Sequence, residues 1–317
     1  MIRFTAIRLV EIAATLVLMS FLIYALIGLM PGDPIDLMRQ ADPRMSAADV
    51  ARLKSVYGLD EPLFHRYLGW VRQALSGDLG YSRLFAAPVW SALVPRLGNS
   101  LVLMGSSFVL ALGLALGLGT AAARRPNSRL DAAINLFCFA GVSMPTFWLA
   151  LILILVFAAG LGWLPASGIA TAGASDLSDR LSHLVLPVAT LTLASTGGYT
   201  RYVRAAMREA LAQDHVRTAR AKGASEVRVI LHHAMRSALI PVTTILALSF
   251  GGLVSGALVT ETMFAYPGMG KLIFDAVMGN DYNLALAALL LATITTMLAN
   301  LAADLAYGWL DPRVSYR

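Results

Sequence analysis

The glycine-rich segment 267–272 comes closest, by residue type, to a loop that could bind a phosphate group. It departs from the GxxxxGK[ST] pattern at both ends. Residue 265 is alanine where the pattern requires glycine, and Leu272 follows Lys271 where the pattern requires a hydroxyl side chain for magnesium. The segment therefore predicts no nucleotide site, and we expect that this chain is not itself an enzyme.

Histidine and cysteine, the usual ligands of transition metals, are few and scattered along the sequence. His232 and His233 are adjacent, so on a helix they would point about 100° apart and could not easily share one ion. The single cysteine, Cys138, cannot form an internal disulfide and is more typical of packing than of chemistry. We therefore predict no metal, no cofactor and no catalytic residue.

Carboxylates deep in a membrane would indicate a carrier that is driven by protons, because such groups are costly there and are kept for function. The carboxylates that we assign to apolar segments are Glu11 and Asp304, and both lie near the expected inner ends of those segments. This scarcity argues against a carrier that powers itself.

The composition is that of a membrane protein. Hydrophobic residues make up 57% of the 317 residues and charged residues 14%, against about a quarter in soluble domains. About 20 apolar residues cross the roughly 30 Å of hydrocarbon in a bilayer. Six segments meet this length or approach it, namely residues 12–30, 101–122, 134–161, 183–199, 241–263 and 284–309.

The basic residues predict the orientation of these spans. They are concentrated at both chain ends, after the second span and after the fourth, so the net charge of +6 indicates cytoplasmic loops and not nucleic-acid binding. We predict one all-α membrane domain, residues 1–317, with six transmembrane helices and cytoplasmic N- and C-termini. Pro145 interrupts the third span, and Pro241 should lie in the first turn of the fifth. Close helix contacts are expected at two pairs of glycines, Gly113 with Gly117 and Gly252 with Gly256.

Residues 31–98 form a polar insertion after the first span. Ser46 and Asp49 predict the start of one short helix. Pro62 should lie in the first turn of a second helix, which Gly77 ends. The predicted apolar faces are Val50, Leu53 and Tyr57 in the first helix and Phe64, Leu68, Val71 and Leu75 in the second. We interpret the insertion as an extracytoplasmic cap on the outer ends of the spans.

Residues 209–241 form the longest polar interval in the second half of the chain, and they carry several arginines. Gly223 divides them into two predicted helices, and Ser225 should cap the second. That helix would have an apolar stripe consisting of Val227, Ile230, Leu231 and Ala234. The pattern predicts a basic helical hairpin on the membrane surface, which is either an ordinary cytoplasmic loop or a docking element for a cytosolic partner.

Several motifs follow one another along the whole chain. They are PGDP at 31–34, YGLDEP at 57–62, GDLG at 77–80, SMPTFW at 143–148, LGWLP at 161–165, ET at 261–262, YPGMG at 266–270 and LDPR at 310–313. Through them the chain resembles the membrane permease subunits of bacterial peptide-class ATP-binding cassette (ABC) importers, the dipeptide, oligopeptide and nickel group. It is most similar to the first-permease homologue, which has a long outer loop after its first span. The resemblance implies the type I importer fold and the bacterial inner membrane.

The resemblance also implies that residues 200–241 are the cytoplasmic ATPase-coupling loop, whose pattern is EAA-x3-G-x9-I-x-L-P. Alignment on Gly223 leaves the acidic residue and the proline of this pattern unmatched. The sequence RTARAKG at 217–223 is the form associated with the peptide subgroup. The implied coupling residues are Arg217, Thr218, Ala219, Arg220, Lys222, Gly223, Ala224 and Ser225.

The partners that the resemblance implies are a second homologous permease, two cytosolic ATPases, an extracytoplasmic substrate-binding protein and membrane lipid. Spans two to five would line the pathway, with Ser143, Pro145 and Trp148 as candidates that could equally serve helix packing. The implied substrate is a dipeptide or oligopeptide, and nickel and glutathione permeases of the same family are alternatives. Two other classes stay open, a self-contained secondary transporter and an intramembrane hydrolase that pairs His183 with a serine in a span.

Overall fold

The computed structural model describes residues 2–29, 61–173, 176–250 and 257–310, and the single residues 46, 48 and 52. The described chain is mostly helical, which confirms the predicted all-α membrane fold. The predicted helix at 46–58 lies almost wholly outside the described residues. The expected contact of Gly252 with Gly256 and residues 311–317 lie outside them as well.

Among the described residues up to Leu211, six helices and one small hairpin have defined bounds. Helix α1 is Ile2–Gly28, and α2 is Leu63–Leu75. Strands β1 (Tyr81–Ser82) and β2 (Ala87–Pro88) pair antiparallel. They lead into α3 (Val89–Arg124), α4 (Arg129–Ser143), α5 (Thr146–Leu153), which continues as a π-helix over Ile154–Gly160, and α6 (Leu177–Leu211).

The second half contains short helices between long ones. Helix α7 is Asp214–Ala221, and α8 is Glu226–Arg228, which continues through a π-helical segment, Val229–Ala234, into α9 (Met235–Phe250). Helices α10 (Leu258–Met263), α11 (Met269–Met278) and α12 (Tyr282–Leu310) follow.

Four helices in the described part of the chain are long and apolar enough to cross a membrane. They contain Thr5–Gly28 of α1, all of α3 and α6, and Tyr282–Ala302 of α12. Helices α4 and α5 would add a fifth span only as a bent pair, whose axes differ by 103°. The predicted break at Pro145 is therefore confirmed. The predicted span 241–263 includes residues outside the described chain, so the total of six spans stays a prediction.

Helix α3 begins twelve residues before the predicted second span, at Val89 and not at residue 101. The added turns are helical because they bury Val89, Ala92 and Leu93 against α11 and α12, in one apolar cluster with Leu272 and Leu284. Residues 89–98 of the predicted insertion are thus the beginning of the second membrane helix.

Helix α6 also exceeds its predicted bounds of 183–199. Asp176 caps its start by accepting a hydrogen bond from the backbone N–H of Asp179, and the helix continues to Leu211. Pro241 lies inside α9, well after its start at Met235, so its predicted place in a first turn is wrong. Membrane helices tolerate such interior prolines.

Glycines allow α6 to approach two neighbouring helices closely. A Cβ on Gly119 of α3 would lie 2.7 Å from a methyl carbon of Val203. A Cβ on Gly197 of α6 would lie 2.5 Å from the Cys138 carbonyl oxygen of α4. By contrast, Cβ atoms on Gly113 and Gly117 would meet nothing within 4 Å, so these glycines form no close contact within the described chain. Two residues turn a helix by about 200°, which places Gly117 on the side away from Gly119.

Helix α2 packs on α1 through aromatic residues, of which the sequence pattern singled out Phe64 but not Tyr67. Tyr67 is buried, its hydroxyl lies 2.7 Å from Ser20 Oγ, and its ring centroid lies 5.3 Å from that of Phe21. The residues predicted to form the apolar face include Phe64 and Leu75, which are 58% and 84% exposed. That predicted face is wrong in this respect, because the tyrosine offers both ring contacts and a hydrogen bond. The helix ends before Gly77 as predicted.

The β-hairpin before α3 is fixed to the start of α12. Asp281 is 2% exposed and accepts hydrogen bonds from Ser82 Oγ (2.6 Å) and the backbone N–H of Leu84 (2.9 Å). The end of the predicted insertion and the loop before α12 therefore form one unit beside the start of α3.

Candidate functional site

The hairpin formed by α7, its turn and α8 has the geometry that the sequence predicts. Gly223 has φ +79°, a left-handed conformation that favours glycine. Its N–H bonds to the Arg220 carbonyl at 2.9 Å, and the N–H of Ala224 bonds to the Ala219 carbonyl at 3.1 Å. These two bonds form a Schellman motif, which ends α7 and turns the chain sharply into α8.

The hairpin is anchored to α6 by an apolar inner face. Val216 and Ala219 of α7 are buried in one cluster with Val203 and Met207 of α6 and with Val229 of the π-helical segment. Ala219, one of the predicted coupling residues, therefore faces inward. Closely packed apolar contacts resist compression, so they hold α7 firmly against the C-terminal end of α6.

The outer face of the hairpin is a basic, exposed surface. Of the predicted coupling residues, Arg217, Thr218, Arg220, Lys222, Gly223 and Ser225 are exposed and Ala224 is half-buried. Arg220 Nε donates to Glu226 Oε1 at 2.9 Å across the turn. Such an exposed pair contributes at most about 1 kcal/mol, so its main effect is to orient the Arg220 side chain.

Two details of the predicted second helix differ in the structure. Ser225 occupies the N-cap position of α8, but its side chain makes no cap hydrogen bond. In the predicted apolar stripe, Ile230 and Ala234 are buried as expected, but Val227 and Leu231 are 66% and 60% exposed. Val229, which lies outside the predicted stripe, is fully buried. The π-helical segment is the reason, because residues five apart share a face there and the 3.6-residue period no longer applies.

The three predicted pathway residues lie at the break between α4 and α5. Ser143 ends α4, Pro145 is the N-cap of α5, and Trp148 lies in its first turn. All three are exposed. The break therefore presents them together at a 103° bend, although their role in a pathway stays a prediction.

Comparison with known proteins identifies the family. A family model described as "Binding-protein-dependent transport system inner membrane component" matches residues 113–316. A model of the N-terminal part of such membrane components matches residues 1–104. This chain belongs to that family. It is an inner-membrane permease of a binding-protein-dependent transport system, and it spans the membrane several times.

Similar curated proteins cover the permease from end to end. The oligopeptide transport system permease protein AppB of Bacillus subtilis (strain 168) is 39% identical over 299 residues, 94% of each chain. The di/tripeptide transport system permease protein DppB of Pseudomonas aeruginosa (strain UCBPP-PA14) is 36% identical over the whole of both chains. The glutathione transport system permease protein GsiC of Escherichia coli (strain K12) is 35% identical, again over both chains. The resemblance to peptide-class ABC importer permeases is confirmed.

The permease contains a buried carboxylate that the sequence analysis overlooked. Glu261 is 0% exposed and accepts hydrogen bonds from Ser100 Oγ (2.6 Å), the N–H of Lys271 (2.9 Å) and the N–H of Ala257 (3.2 Å). Its position inside the predicted span 241–263 was the available signal, so Glu11 and Asp304 are not the only carboxylates in the predicted spans. A Cβ on Gly268 would lie 2.2 Å from the Glu261 carboxyl carbon.

This carboxylate fastens α10 and the start of α11 to α3. Ser100 Oγ also accepts the N–H of Met269, and Asn99 Nδ2 donates to the Pro267 carbonyl at 2.8 Å. Burial, and secondly the Glu261 carboxylate, raise the pKa of Tyr266 to about 12, so its hydroxyl stays protonated at neutral pH. The YPGMG motif at 266–270 is thus a close-packed junction, which explains why it is rich in glycine.

The two carboxylates expected near the inner ends of the spans share one cation. Arg8 Nη1 lies 3.0 Å from Glu11 Oε2, and Arg8 Nη2 lies 3.2 Å from Asp304 Oδ2. The first and last membrane helices of the permease are therefore joined by charge at this end.

Proposed function

We propose that this permease forms half of the membrane pathway of a peptide importer. Separate cytosolic ATPases drive it through the hairpin of α7 and α8, which lies within the predicted coupling loop at residues 200–241. The observation that carries this proposal is the basic surface of α7 on a hairpin that is packed rigidly against α6. The chain offers no phosphate-binding loop of its own. A surface of this kind suits docking into an acidic cleft of a partner.

The mechanism that follows is alternating access. ATP binding would close the ATPase pair and displace α7, and the anchored α6 would carry that displacement into the membrane. The arginines and the lysine of α7 and its turn would speed docking more than they add affinity, because they lie at an exposed rim. Spans two to five and a second, homologous permease would form the pathway.

The proposed orientation places the hairpin and both chain termini in the cytoplasm, in keeping with the positive-inside rule. The unit formed by the end of the insertion and the loop before α12 would then face an extracytoplasmic binding protein. Peptides are the proposed substrates because the names of similar permeases specify oligopeptides, di/tripeptides and glutathione, itself a small peptide.

A mild-detergent pull-down of the tagged permease from its native membrane tests the proposal. We expect a second permease and one or two kinds of ATPase to co-purify. Isolation of the chain alone, or only with itself, would contradict the docking role and favour a self-contained secondary transporter.

Charge reversal on the hairpin should weaken docking of the ATPase without affecting the pairing of the two permeases, and the same pull-down measures both. In the double variant Arg217→Glu/Lys222→Glu we expect ATPase recovery to fall about tenfold, because like charges would meet the acidic cleft. Recovery of the second permease should not change. Arg125→Glu, an exposed reversal in the preceding basic loop, is the matched control and should leave ATPase recovery intact. Equal recovery of ATPase with both variants would count against an electrostatic interface.

A further inference from the structure

A bidentate ion pair joins the inner ends of α4 and α6. Arg204 Nε donates to Asp131 Oδ1 and Arg204 Nη2 to Asp131 Oδ2, both at 2.7 Å. Asp131 is 3% exposed. The paired geometry fixes both the distance and the relative orientation of the two helices at this point, because a guanidinium fork matches a carboxylate in one plane.

The remaining hydrogen-bond capacity of the Asp131 carboxylate is also used. The N–H of Asn127 donates to Oδ2 at 2.9 Å, and Asn135 Nδ2 donates to Oδ1 at 2.7 Å. Asn127 has φ +63°, a left-handed conformation that asparagine tolerates. Ser128 caps α4 by accepting the N–H of Asp131. The local sequence thus folds around the carboxylate and holds it in place for Arg204.

Backbone contacts join the same two helices further along. Besides the close approach of Gly197 to Cys138, a Cβ on Gly141 of α4 would lie 3.2 Å from the Leu193 carbonyl oxygen of α6. With the ion pair, these contacts connect α4 and α6 along most of the length of α4. The connected part ends at Ser143, where the chain turns by 103° into α5.

Helix α6 also holds the coupling hairpin. Val203, the residue next to Arg204, lies in the apolar cluster that buries Val216 of α7. A continuous set of contacts therefore runs from the hairpin through α6 and the ion pair to α4 and its break.

We propose that the Asp131–Arg204 pair is a positioning joint, which makes α4 follow the movement of the coupling hairpin and so moves the bend at Pro145. This inference rests on the proposed function of the hairpin. A partly buried ion pair is a weak source of stability compared with apolar packing, but it fixes geometry, which is what a mechanical joint requires.

The test is the number of labelled tripeptide molecules imported per ATP hydrolysed by the complete reconstituted transporter with its binding protein. In Arg204→Lys the charge remains but the fork is lost. We expect this variant to assemble with its partners and hydrolyse ATP within about twofold of the unmodified rate, while import per ATP falls about tenfold. Arg201→Lys, an exposed change one turn earlier on α6, is the control and should leave the ratio unchanged. An unchanged ratio in Arg204→Lys would overturn the proposal.

A distance measurement with the Asp131–Arg204 pair intact tests the joint even if Arg204→Lys fails to assemble with its partners. Spin labels would replace the exposed Arg129 of α4 and Arg208 of α6 in a Cys138→Ser background. The distance between them should stay constant when ATP binds, while the distance from residue 208 to a label at Val10 of α1 should change. Relative movement of residues 129 and 208 would overturn the joint. A complete transporter that hydrolyses ATP but imports nothing would instead contradict the proposed function.

Discussion

Gly223→Pro should reduce substrate import by the complete transporter at least tenfold while the permease still inserts into the membrane. Proline holds φ near −65°, whereas the turn requires +79°. Proline also removes the N–H that bonds to the Arg220 carbonyl. The Schellman turn would be lost, and α7 would leave the orientation in which Val216 packs on α6. Import and ATP hydrolysis, measured together in proteoliposomes, check this.

Gly223→Asn distinguishes the backbone conformation that the turn requires from a direct contact of residue 223 with the ATPase. A Cβ at this position would meet nothing within 4 Å, so a side chain is obstructed by the torsion angle and not by neighbouring atoms. Asparagine tolerates left-handed φ better than other non-glycine residues. We therefore expect import close to that of the unmodified protein. If asparagine abolished import as proline does, contact of the bare glycine with the ATPase would explain the result better than turn geometry. Full import with proline would refute the coupling role of the turn.

The hairpin was predictable because its determinants are local. Gly223 and the residues beside it specify a turn through backbone torsion and hydrogen bonds that span a few residues. The break at Pro145 was predictable for the same reason. The π-helical segment was not, since the burial of Val229 in the cluster with α6 decides it. The 3.6-residue pattern predicted the burial of Ile230 and Ala234 correctly, but it also pointed to Val227 and Leu231, which are exposed.

The sequence did not predict contacts between residues that lie far apart along the chain. Arg204 and Asp131 are separated by 73 positions, and Glu261 lies 161 positions from Ser100. A single sequence offers no signal that pairs such residues, although a carboxylate inside an apolar segment does indicate that some partner exists. The same limitation affected Gly113 and Gly117, whose spacing suits a helix contact, although a Cβ on either residue would meet nothing within 4 Å in the described chain.

Gly268→Ala should strongly destabilise the permease, because the new methyl group would lie 2.2 Å from the carboxyl carbon of the fully buried Glu261. Forced overpacking of this kind typically costs about 1–3 kcal/mol. In detergent we expect the unfolding midpoint to fall by roughly 2–5 °C. Gly98→Ala on α3 is the matched control, since its Cβ would meet nothing within 4 Å and alanine favours a helix.

Glu261→Ala should also destabilise, for a different reason. It leaves the N–H groups of Lys271 and Ala257 and the Ser100 hydroxyl without their acceptor, at about 1–3 kcal/mol for each buried group left unpaired. The combination of Gly268→Ala with Glu261→Ala then distinguishes the two effects, because the methyl group would enter the space that the carboxylate vacates. The loss of unfolding free energy in the double variant should be about 1–3 kcal/mol smaller than the sum of the losses in the two single variants. Additive losses would mean that the carboxylate does not fill the space beside Gly268, and the start of α11 would then be held to α3 by some other contact.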